Sequence, residues 1–208
     1  METVSKKKTT KEKETIRTIY ERRAVRKYKD KPVERELIEE VIEAGMMAPS
    51  AINKQPWKFY ILTDKATIKT FSKEIASVAL KGFFKSGVKE VVKTAVHLLR
   101  FSRGFNFHLQ EDPVFHGAPV VIFITAPSDN EWAALDIGMC AQNMMLTAKS
   151  LGLDTCPVGF GKFVENTKSF PKLKIPDSEH VYLSIILGYG NENPEGHKRK
   201  RDNIIFID

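Results

Sequence analysis

Three arginines lie close together near the start of the sequence. Arg22, Arg23 and Arg26 fall within the stretch ERRAVRKY, which follows a short helical pattern. Guanidinium groups bind phosphate through pairs of charged hydrogen bonds, each worth roughly 1.5–3 kcal/mol. This density of cations indicates an anion site, and the alternative is a solvated basic turn. A second basic cluster, KRKR at 198–201, could complete a phosphate pocket built from both ends of the chain.

A loop rich in prolines and polar side chains follows a predicted helix. The stretch APSAINKQPW at 48–57 carries two prolines, which stiffen it, and polar side chains at Ser50, Asn53 and Gln55. These side chains offer hydrogen-bond donors and acceptors to a planar polar ligand. Trp57 can anchor the following strand in the core. The pattern indicates one wall of a binding pocket.

The sequence lacks the usual motifs of nucleophilic, metal and nucleotide chemistry. It has no GxGxxG, GxxxxGK[ST], HExxH or GxSxG pattern, and its five histidines show no metal-ligand spacing. Cys156, in the strand-like stretch CPVGF, is interpreted as a buried structural thiol. In the same stretch Gly159 allows a backbone N–H to approach a ligand closely. An enzyme of this kind would take its chemistry from a cofactor.

Composition restricts the class of protein, its partners and its compartment. The chain has 208 residues, with 42% hydrophobic and 28% charged residues, which is typical of a soluble globular protein. Its net charge of +7 comes from the lysines of residues 1–13 and from KRKR, so no basic face for nucleic acid is expected. Two cysteines predict a reducing cytoplasm, and no apolar stretch is long enough for a membrane span. Residues 1–13 are expected to be flexible rather than a secretory signal.

Apolar periodicity predicts the elements that position these motifs. Helices are predicted at 14–22, 33–48, 65–80, 83–101, 130–152 and near 162–170, and strands at 57–63, 119–125, 154–161 and 180–190. The lack of regular βαβ alternation predicts one α+β domain over 1–208. The helix at 130–152 is apolar almost all round, and the tail at 191–208 ends in an apolar run. Both features favour burial against a second subunit.

Five stretches occur in the order found in the nitroreductase-like flavoproteins. They are ERRAVRKY, APSAINKQPWKF, DIGMCAQNMMLTAKSLGL, CPVGF and LSIILGYGNENPEGHKRKR. The sequence therefore resembles that family over residues 14–206, and the P-S-x-x-N-x-Q-P-W block is the most specific match. The resemblance implies a three-layer α/β/α fold with a mainly antiparallel central sheet, a long buried helix and an intertwined homodimer. It also implies FMN bound non-covalently at the dimer interface and NAD(P)H as reductant.

The resemblance carries over a set of cofactor-binding residues. The set is Arg22, Arg23, Ala24, Arg26, Pro49, Ser50, Ala51, Asn53, Gln55, Pro157, Val158, Gly159, Arg199 and Arg201. The group at 22–26 matches the segment at the phosphate and the pyrimidine side of the flavin. The group at 49–55 matches a loop from the other subunit, and the turn at 157–159 presents backbone amides to flavin N5 and O4. Arg199 and Arg201 match a basic pair at the phosphate. A pair shifted by one residue within 198–201 also matches.

The sequence departs from the family pattern at three places. Many members have serine at Ala24, so one possible flavin hydrogen bond is lost. Some have glutamate at Val158, where the contact runs through the backbone, so FMN binding should survive. Residues 66–117 carry no motif that matches, and substrate choice is expected to lie there. Phe105 and Phe107 could stack on a substrate, although the favoured interpretation places them in the core.

The resemblance implies a ping-pong reaction. Hydride passes from NAD(P)H to flavin N5 and then to a small oxidant such as a nitroaromatic or a quinone, and no catalytic side chain or metal is expected. Fold alone does not set the substrate, so two alternatives stay open. One is other flavin chemistry, such as dehalogenation, flavin destruction or dehydrogenation of peptide heterocycles. The other is a flavin-binding redox partner without NAD(P)H turnover.

Overall fold

A computed structural model describes residues 12–85, 112–200 and 202–207. Within these ranges the helices are α1 (Glu12–Glu21), α2 (Arg35–Met46), α3 (Lys65–Lys85) and α4 (Ala133–Ser150). The strands are β1 (Lys58–Leu62), β2 (Val120–Pro127), β3 (Asp154–Val158) and β4 (Glu179–Gly188). Short 3-10 helices lie at Ala51–Asn53, Gly159–Asn166 and Phe170–Leu173. Among the described residues, no helix combines the length and hydropathy needed to cross a membrane.

The described strands form one antiparallel sheet in the order β1-β2-β4-β3. Strands β1 and β3 are therefore the edges of this sheet. β2 reads VVIFITAP and is buried at every residue before its last, as expected of a central strand. A β-bulge interrupts its register with β4 between Ile124 and Thr125.

Alternate residues of β2 enter two hydrophobic clusters, because successive side chains of a strand point to opposite faces of the sheet. Ile122 and Ile124 join a cluster formed with residues of α2 and α4. Val121 and Phe123 join a cluster formed with residues of α3. Apolar helices therefore pack against the residues of both faces of β2.

Helix α2 approaches α4 closely at Gly45. A Cβ atom at Gly45 would lie 2.5 Å from Cγ of Met144, a fully buried side chain of α4. A larger residue would therefore push the helices apart. This contact fixes the end of α2 against α4, just before the loop at 48–57.

Most predicted elements are confirmed, with boundaries shifted by a few residues, but two predictions are wrong. The break predicted between residues 80 and 83 does not occur, because α3 continues to Lys85 through Gly82, a glycine that a helix interior tolerates at about 1 kcal/mol. The rest of that predicted helix, 86–101, lies outside the described residues. The helix predicted near 162–170 is instead a pair of 3-10 helices, the second of which contains Pro171 in its first turn.

The Glu179 carboxylate joins β4 to β1 and β2. It accepts hydrogen bonds from Lys58 Nζ, from Thr125 Oγ1 at 2.5 Å and from the Tyr60 hydroxyl at 3.5 Å. Burial raises the pKa of Glu179, but the hydrogen bonds from Lys58 and Thr125 outweigh this and hold the pKa below its ordinary value of 4.5. A carboxylate whose pKa is lower in the folded than in the unfolded state stabilises the fold at pH values above its unfolded-state pKa. This stability is lost as pH falls through the folded-state pKa.

We expect Glu179→Gln to lower the free energy of unfolding at pH 7 by about 2 kcal/mol, because it removes a buried charged acceptor. The difference from the unchanged protein should shrink as pH falls below about 4.5. Urea unfolding at pH 7 and at about pH 4 measures both effects. Glu43→Gln, at an exposed position of α2, is the matched control. An equal loss at both pH values would contradict this role of the carboxylate.

Candidate functional site

The arginine segment, residues 22–26, runs beside the edge strand β3. The Val25 N–H donates to the Thr155 carbonyl at 3.0 Å, and Ala24 and Thr155 form a parallel bridge. Val25 is buried and anchors the segment, whereas the three arginines on either side of it are half-buried. The chain thus presents three guanidinium groups along one edge of the sheet.

Residues that follow β4 cover the other side of the arginine segment. The Asn191 N–H donates to the Lys27 carbonyl at 2.8 Å, and the Arg26 N–H donates to the Glu192 carboxylate at 2.5 Å. A Cβ at Gly190 would lie 2.4 Å from the Asp154 carboxylate, so a larger residue would force the Asp154 side chain to shift. The arginine segment is therefore held between β3 and the C-terminal segment, residues 189–200.

The C-terminal segment then passes Arg23. A Cβ at Gly196 would lie 2.6 Å from Nη2 of Arg23. Arg199 follows three residues later, exposed, with its Nη1 donating to the His197 carbonyl at 3.0 Å. Arg201, the second member of the predicted basic pair, lies outside the described residues. The structure therefore brings the chain that carries Arg199 alongside the first arginines.

Two donors in the arginine segment are buried without a partner. Arg22 Nη1 and Arg23 Nε have no hydrogen-bond acceptor in the described part of the chain. Neither arginine forms an ion pair with a described carboxylate, although Arg23 Nη1 donates to the Tyr20 and Arg22 carbonyls. Buried N–H groups are nearly always paired in folded proteins. The donor set is suited to an anion with several oxygen acceptors.

The charge of Arg26 acts on titratable groups that include Tyr28, His116 and Cys156. Burial lowers the pKa of His116, and the Arg26 charge lowers it further, against the opposing effects of Asp112 and Glu192. Burial raises the pKa of Cys156, and the charges of Arg26 and Arg22 oppose that rise. At neutral pH this thiol is therefore protonated, as expected of a structural cysteine. Among the described residues, no group of His, Cys, Asp and Glu could hold a metal ion.

The turn at the end of β3 presents a backbone amide outward. The buried Ser184 hydroxyl donates to the Val158 carbonyl at 3.0 Å, which turns that carbonyl inward. Because a trans peptide directs its C=O and N–H oppositely, the Gly159 N–H points away from Ser184. Gly159 and Pro157 are exposed, and a Cβ at Gly159 would meet no atom. The turn is thus open to a ligand on the side of this amide.

The proline loop, residues 48–57, has a strained backbone. Ile52, Asn53 and Gln55 have positive φ values of 47°, 57° and 45°, a region that residues other than glycine rarely adopt. The Gln55 N–H donates to Ser50 Oγ at 2.9 Å, and Gln55 Nε2 donates to Asn53 Oδ1 at 3.1 Å. Trp57, just before β1, is buried in the core, as predicted. Such strain persists where surrounding contacts hold it and is concentrated at binding sites.

Asp136, in the first turn of α4, supports this loop. Its Oδ1 accepts a hydrogen bond from the Ala51 N–H at 3.1 Å, and its Oδ2 is buried without a partner among the described residues. Asp136 is 1% exposed. The sequence interpretation assigned it no role, although a lone carboxylate within the apolar run AALDIGM was a detectable signal.

The predicted site residues fall into two separate groups. The arginine segment and the turn at 157–159 lie at the β3 edge, and the proline loop leads into β1 at the opposite edge. Three strand spacings separate these edges, about 14 Å. Helix α4 also keeps them apart, because Asp136 contacts the loop at one end and Lys149 pairs with Asp154 of β3 at the other, about 20 Å away.

A groove runs along the exposed face of α4. It has a volume of about 390 Å³ and is lined by Pro49 of the proline loop and by Leu135, Gly138, Met139 and Asn143 of α4. Leu135 is 57% exposed. Within one chain α4 therefore keeps an exposed face, and its expected burial against a second subunit stays a prediction.

Comparison with known proteins identifies the family. A family model for the nitroreductases matches residues 19–189, which include the arginine segment, the proline loop and the turn at 157–159. The chain belongs to the nitroreductase family. A 4-nitrobenzoate reductase from Pseudomonas putida is 32% identical to this chain over 197 residues, which cover 83% of each chain. A nitrobenzene nitroreductase from Ectopseudomonas oleovorans is 31% identical over 199 residues, covering 85% of this chain and 87% of that one.

Solved structures agree with this assignment. The crystal structure of a nitroreductase with bound FMN from Desulfitobacterium hafniense DCB-2 matches with a TM-score of 0.75. The two sequences are 23% identical, and the match covers 94% of this chain and 98% of that one. The α+β chain with its antiparallel sheet therefore has the nitroreductase fold.

We expect Asp136→Ala to loosen the proline loop. Loss of the acceptor for the Ala51 N–H should increase deuterium uptake in peptides covering 48–57. Because one such hydrogen bond contributes about 1 kcal/mol to stability, its loss should make amide exchange about 5–10-fold faster. Hydrogen exchange read by mass spectrometry tests this. Asp136→Asn keeps an acceptor oxygen and should exchange as the unchanged protein does. Unaltered exchange in the alanine variant would refute the supporting role of Asp136.

Proposed function

We propose that this nitroreductase is an FMN-dependent NAD(P)H oxidoreductase that reduces a small oxidant, such as a nitroaromatic or a quinone, by a ping-pong hydride transfer. The observation that carries the proposal is the pair of buried, unpartnered guanidinium donors in the arginine segment. The relatives named for nitrobenzoate and nitrobenzene reduction support the substrate class. The neighbour with bound FMN supports the cofactor.

The arginine segment fits the phosphate of FMN. A phosphomonoester carries about −1.5 to −2 charge at pH 7 and three strong acceptor oxygens. Arg22 Nη1 and Arg23 Nε would donate to these oxygens, and Arg199 would add a further cation from the C-terminal segment. Arg26, whose charge reaches Cys156 and His116 beside β3, would face the pyrimidine side of the ring.

The turn at 157–159 fits the edge of the flavin ring. The exposed Gly159 N–H has open space beside it and would donate to the ring at N5 or O4. Because this contact uses the backbone, Val158 can replace glutamate without loss of the hydrogen bond. FMN bound there would supply hydride transfer between NAD(P)H and the oxidant. The chain's own residues bind the cofactor and orient it.

A second copy of the chain would complete the site. The arginine segment and the proline loop lie at opposite sheet edges, so Pro49, Ser50, Ala51, Asn53 and Gln55 would reach the flavin from the partner. The exposed groove along α4 and the run at 204–207, with Ile207 95% exposed, are apolar surfaces that a dimer would bury. We therefore propose an intertwined homodimer of three-layer subunits, acting in the cytoplasm, where the two buried thiols stay reduced.

The absorbance spectrum of the purified protein tests the cofactor. We expect a flavin band in the visible that bleaches when NADH or NADPH is added without oxygen. The double variant Arg22→Ala, Arg26→Ala should bind FMN at least about 100-fold more weakly, because it loses charged donors worth roughly 1.5–3 kcal/mol each. The variant Arg17→Ala, Arg35→Ala removes the same net charge from exposed helical positions and should keep its flavin. Full occupancy in the first variant would refute the phosphate assignment.

Mixed dimers test whether two chains share each site. One chain carries Arg22→Ala and Arg26→Ala, and the other carries Ser50→Ala and Asn53→Ala, with different affinity tags. Each homodimer should hold little FMN, whereas the purified heterodimer should hold about one FMN, because one of its two sites combines unaltered halves. A heterodimer as empty as both parents would show that each site is built within one chain. A monomeric mass in light scattering would also reject the proposal.

A further inference from the structure

Three unpartnered polar atoms belong to β3 and to the segment that pairs with it. In the described part of the chain, five buried side-chain nitrogen and oxygen atoms lack a hydrogen-bond partner. Two of them, Arg22 Nη1 and Arg23 Nε, belong to the arginine segment, and a third, Thr155 Oγ1, lies on the strand that this segment contacts. All three can donate a hydrogen bond.

The unpaired Thr155 hydroxyl contrasts with the other buried hydroxyls that the structure describes. Each of those has a partner, and they are Ser72, Thr125, Thr167, Ser169 and Ser184. Thr155 is 1% exposed, so bulk water does not reach its side chain. Its backbone carbonyl is occupied by the Val25 N–H, and its bridge neighbour Ala24 has no polar side-chain atom. A buried hydroxyl without a partner costs stability and calls for an acceptor.

The position of Thr155 along β3 indicates what that acceptor is. Side chains two residues apart lie on the same face of a strand, so Thr155 and Pro157 share a face. Pro157 opens the turn proposed to meet the flavin ring, and Ala24, opposite Thr155, follows the arginines proposed to hold the phosphate. Thr155 thus lies between the two ends of the proposed cofactor site, where the ribityl chain joins phosphate to ring.

We propose that the Thr155 hydroxyl is a further cofactor-binding group, which donates a hydrogen bond to an oxygen of the phosphate–ribityl chain of FMN; this inference rests on the proposed function. It assigns a role to a residue outside the set that the sequence indicated. It also assigns to β3 a side-chain contact with the cofactor, in addition to the contact proposed for the Gly159 N–H of the turn that follows β3.

The test compares two threonine-to-valine variants as full-length apoproteins. Thr155→Val removes the unpaired hydroxyl and keeps the branched shape, and Thr125→Val removes a hydroxyl that is bonded to Glu179. We expect Thr155→Val to leave the Tm of the apoprotein unchanged or raised, and to increase the Kd for FMN, measured by flavin fluorescence, about 10-fold. Thr125→Val should instead lower the Tm by about 5 °C and leave the Kd unchanged.

Two further variants strengthen the test. Thr155→Ser retains a hydroxyl and should bind FMN within about 2-fold of the unchanged protein. Ala24→Ser, placed in the Thr155→Val background, adds a hydroxyl at the bridge neighbour and should recover part of the affinity. Titration with riboflavin locates the contact. An equal loss of affinity for riboflavin and for FMN supports a ribityl oxygen as acceptor. A loss of affinity for FMN alone supports a phosphate oxygen.

The outcomes separate this inference from the proposed function. If the unchanged protein binds FMN and Thr155→Val binds it equally well, the Thr155 contact is overturned while the proposed function stands. If Thr155→Val lowers the Tm of the apoprotein as Thr125→Val does, the hydroxyl is structural and the inference also fails. If the unchanged protein takes up no FMN, both the proposed function and the contact are rejected.

Discussion

The hydrogen bond from the Val25 N–H to the Thr155 carbonyl determines the form of the β3 edge. It holds the arginine segment against an edge strand whose backbone groups would otherwise be unpaired. The C-terminal segment then pairs with the other side of the same residues, through Asn191 and Glu192. Guanidinium groups, a backbone amide and a buried hydroxyl are thereby carried by neighbouring segments of this edge, and every proposed contact with the cofactor from this edge depends on that arrangement.

Sheet order imposes the second constraint. With β1 and β3 as the two edges, the proline loop and the arginine segment of the same chain are separated by three strand spacings, about 14 Å. The loop is nevertheless held in a defined shape, because Asp136 and Ser50 accept hydrogen bonds from backbone N–H groups of this segment, in which three residues have left-handed conformations. A preorganised loop that faces away from the rest of its own site is consistent with binding across a symmetric interface, where each chain supplies both halves to different sites.

Local patterns were sufficient to predict much of this fold. The apolar period of α2, the continuous apolar run of β2 and the burial of Trp57 all depend on neighbours within a few residues. The 3-10 helices after β3 were missed because their shape depends on Gly161, whose Cβ would lie 2.0 Å from Ser184 Oγ on β4. That contact joins distant parts of the chain, and periodicity carries no information about it.

The residues of the candidate site also divide into those that local patterns predict and those that depend on contacts with distant parts of the chain. Clusters of arginine and of proline with polar residues are visible in a sequence, and the structure places them at opposite edges of the sheet. Asp136 and Thr155 were not predicted, because their importance arises from what they face. Asp136 meets a loop 85 residues earlier, and the role of Thr155 depends on its pairing with the arginine segment near the start of the chain.

The pairing of Arg26 with Glu192 has a consequence for biosynthesis. These residues are 166 positions apart, and ribosomes add about 5–20 residues per second. The arginine segment therefore leaves the ribosome many seconds before the residues that complete its surroundings. During that interval an exposed cationic stretch is present in a nascent chain that cannot yet retain a cofactor. Under the proposed function, loading of the cofactor would accordingly follow synthesis of residue 192, and a chain cut before Glu192 would lack one neighbour of the arginine segment.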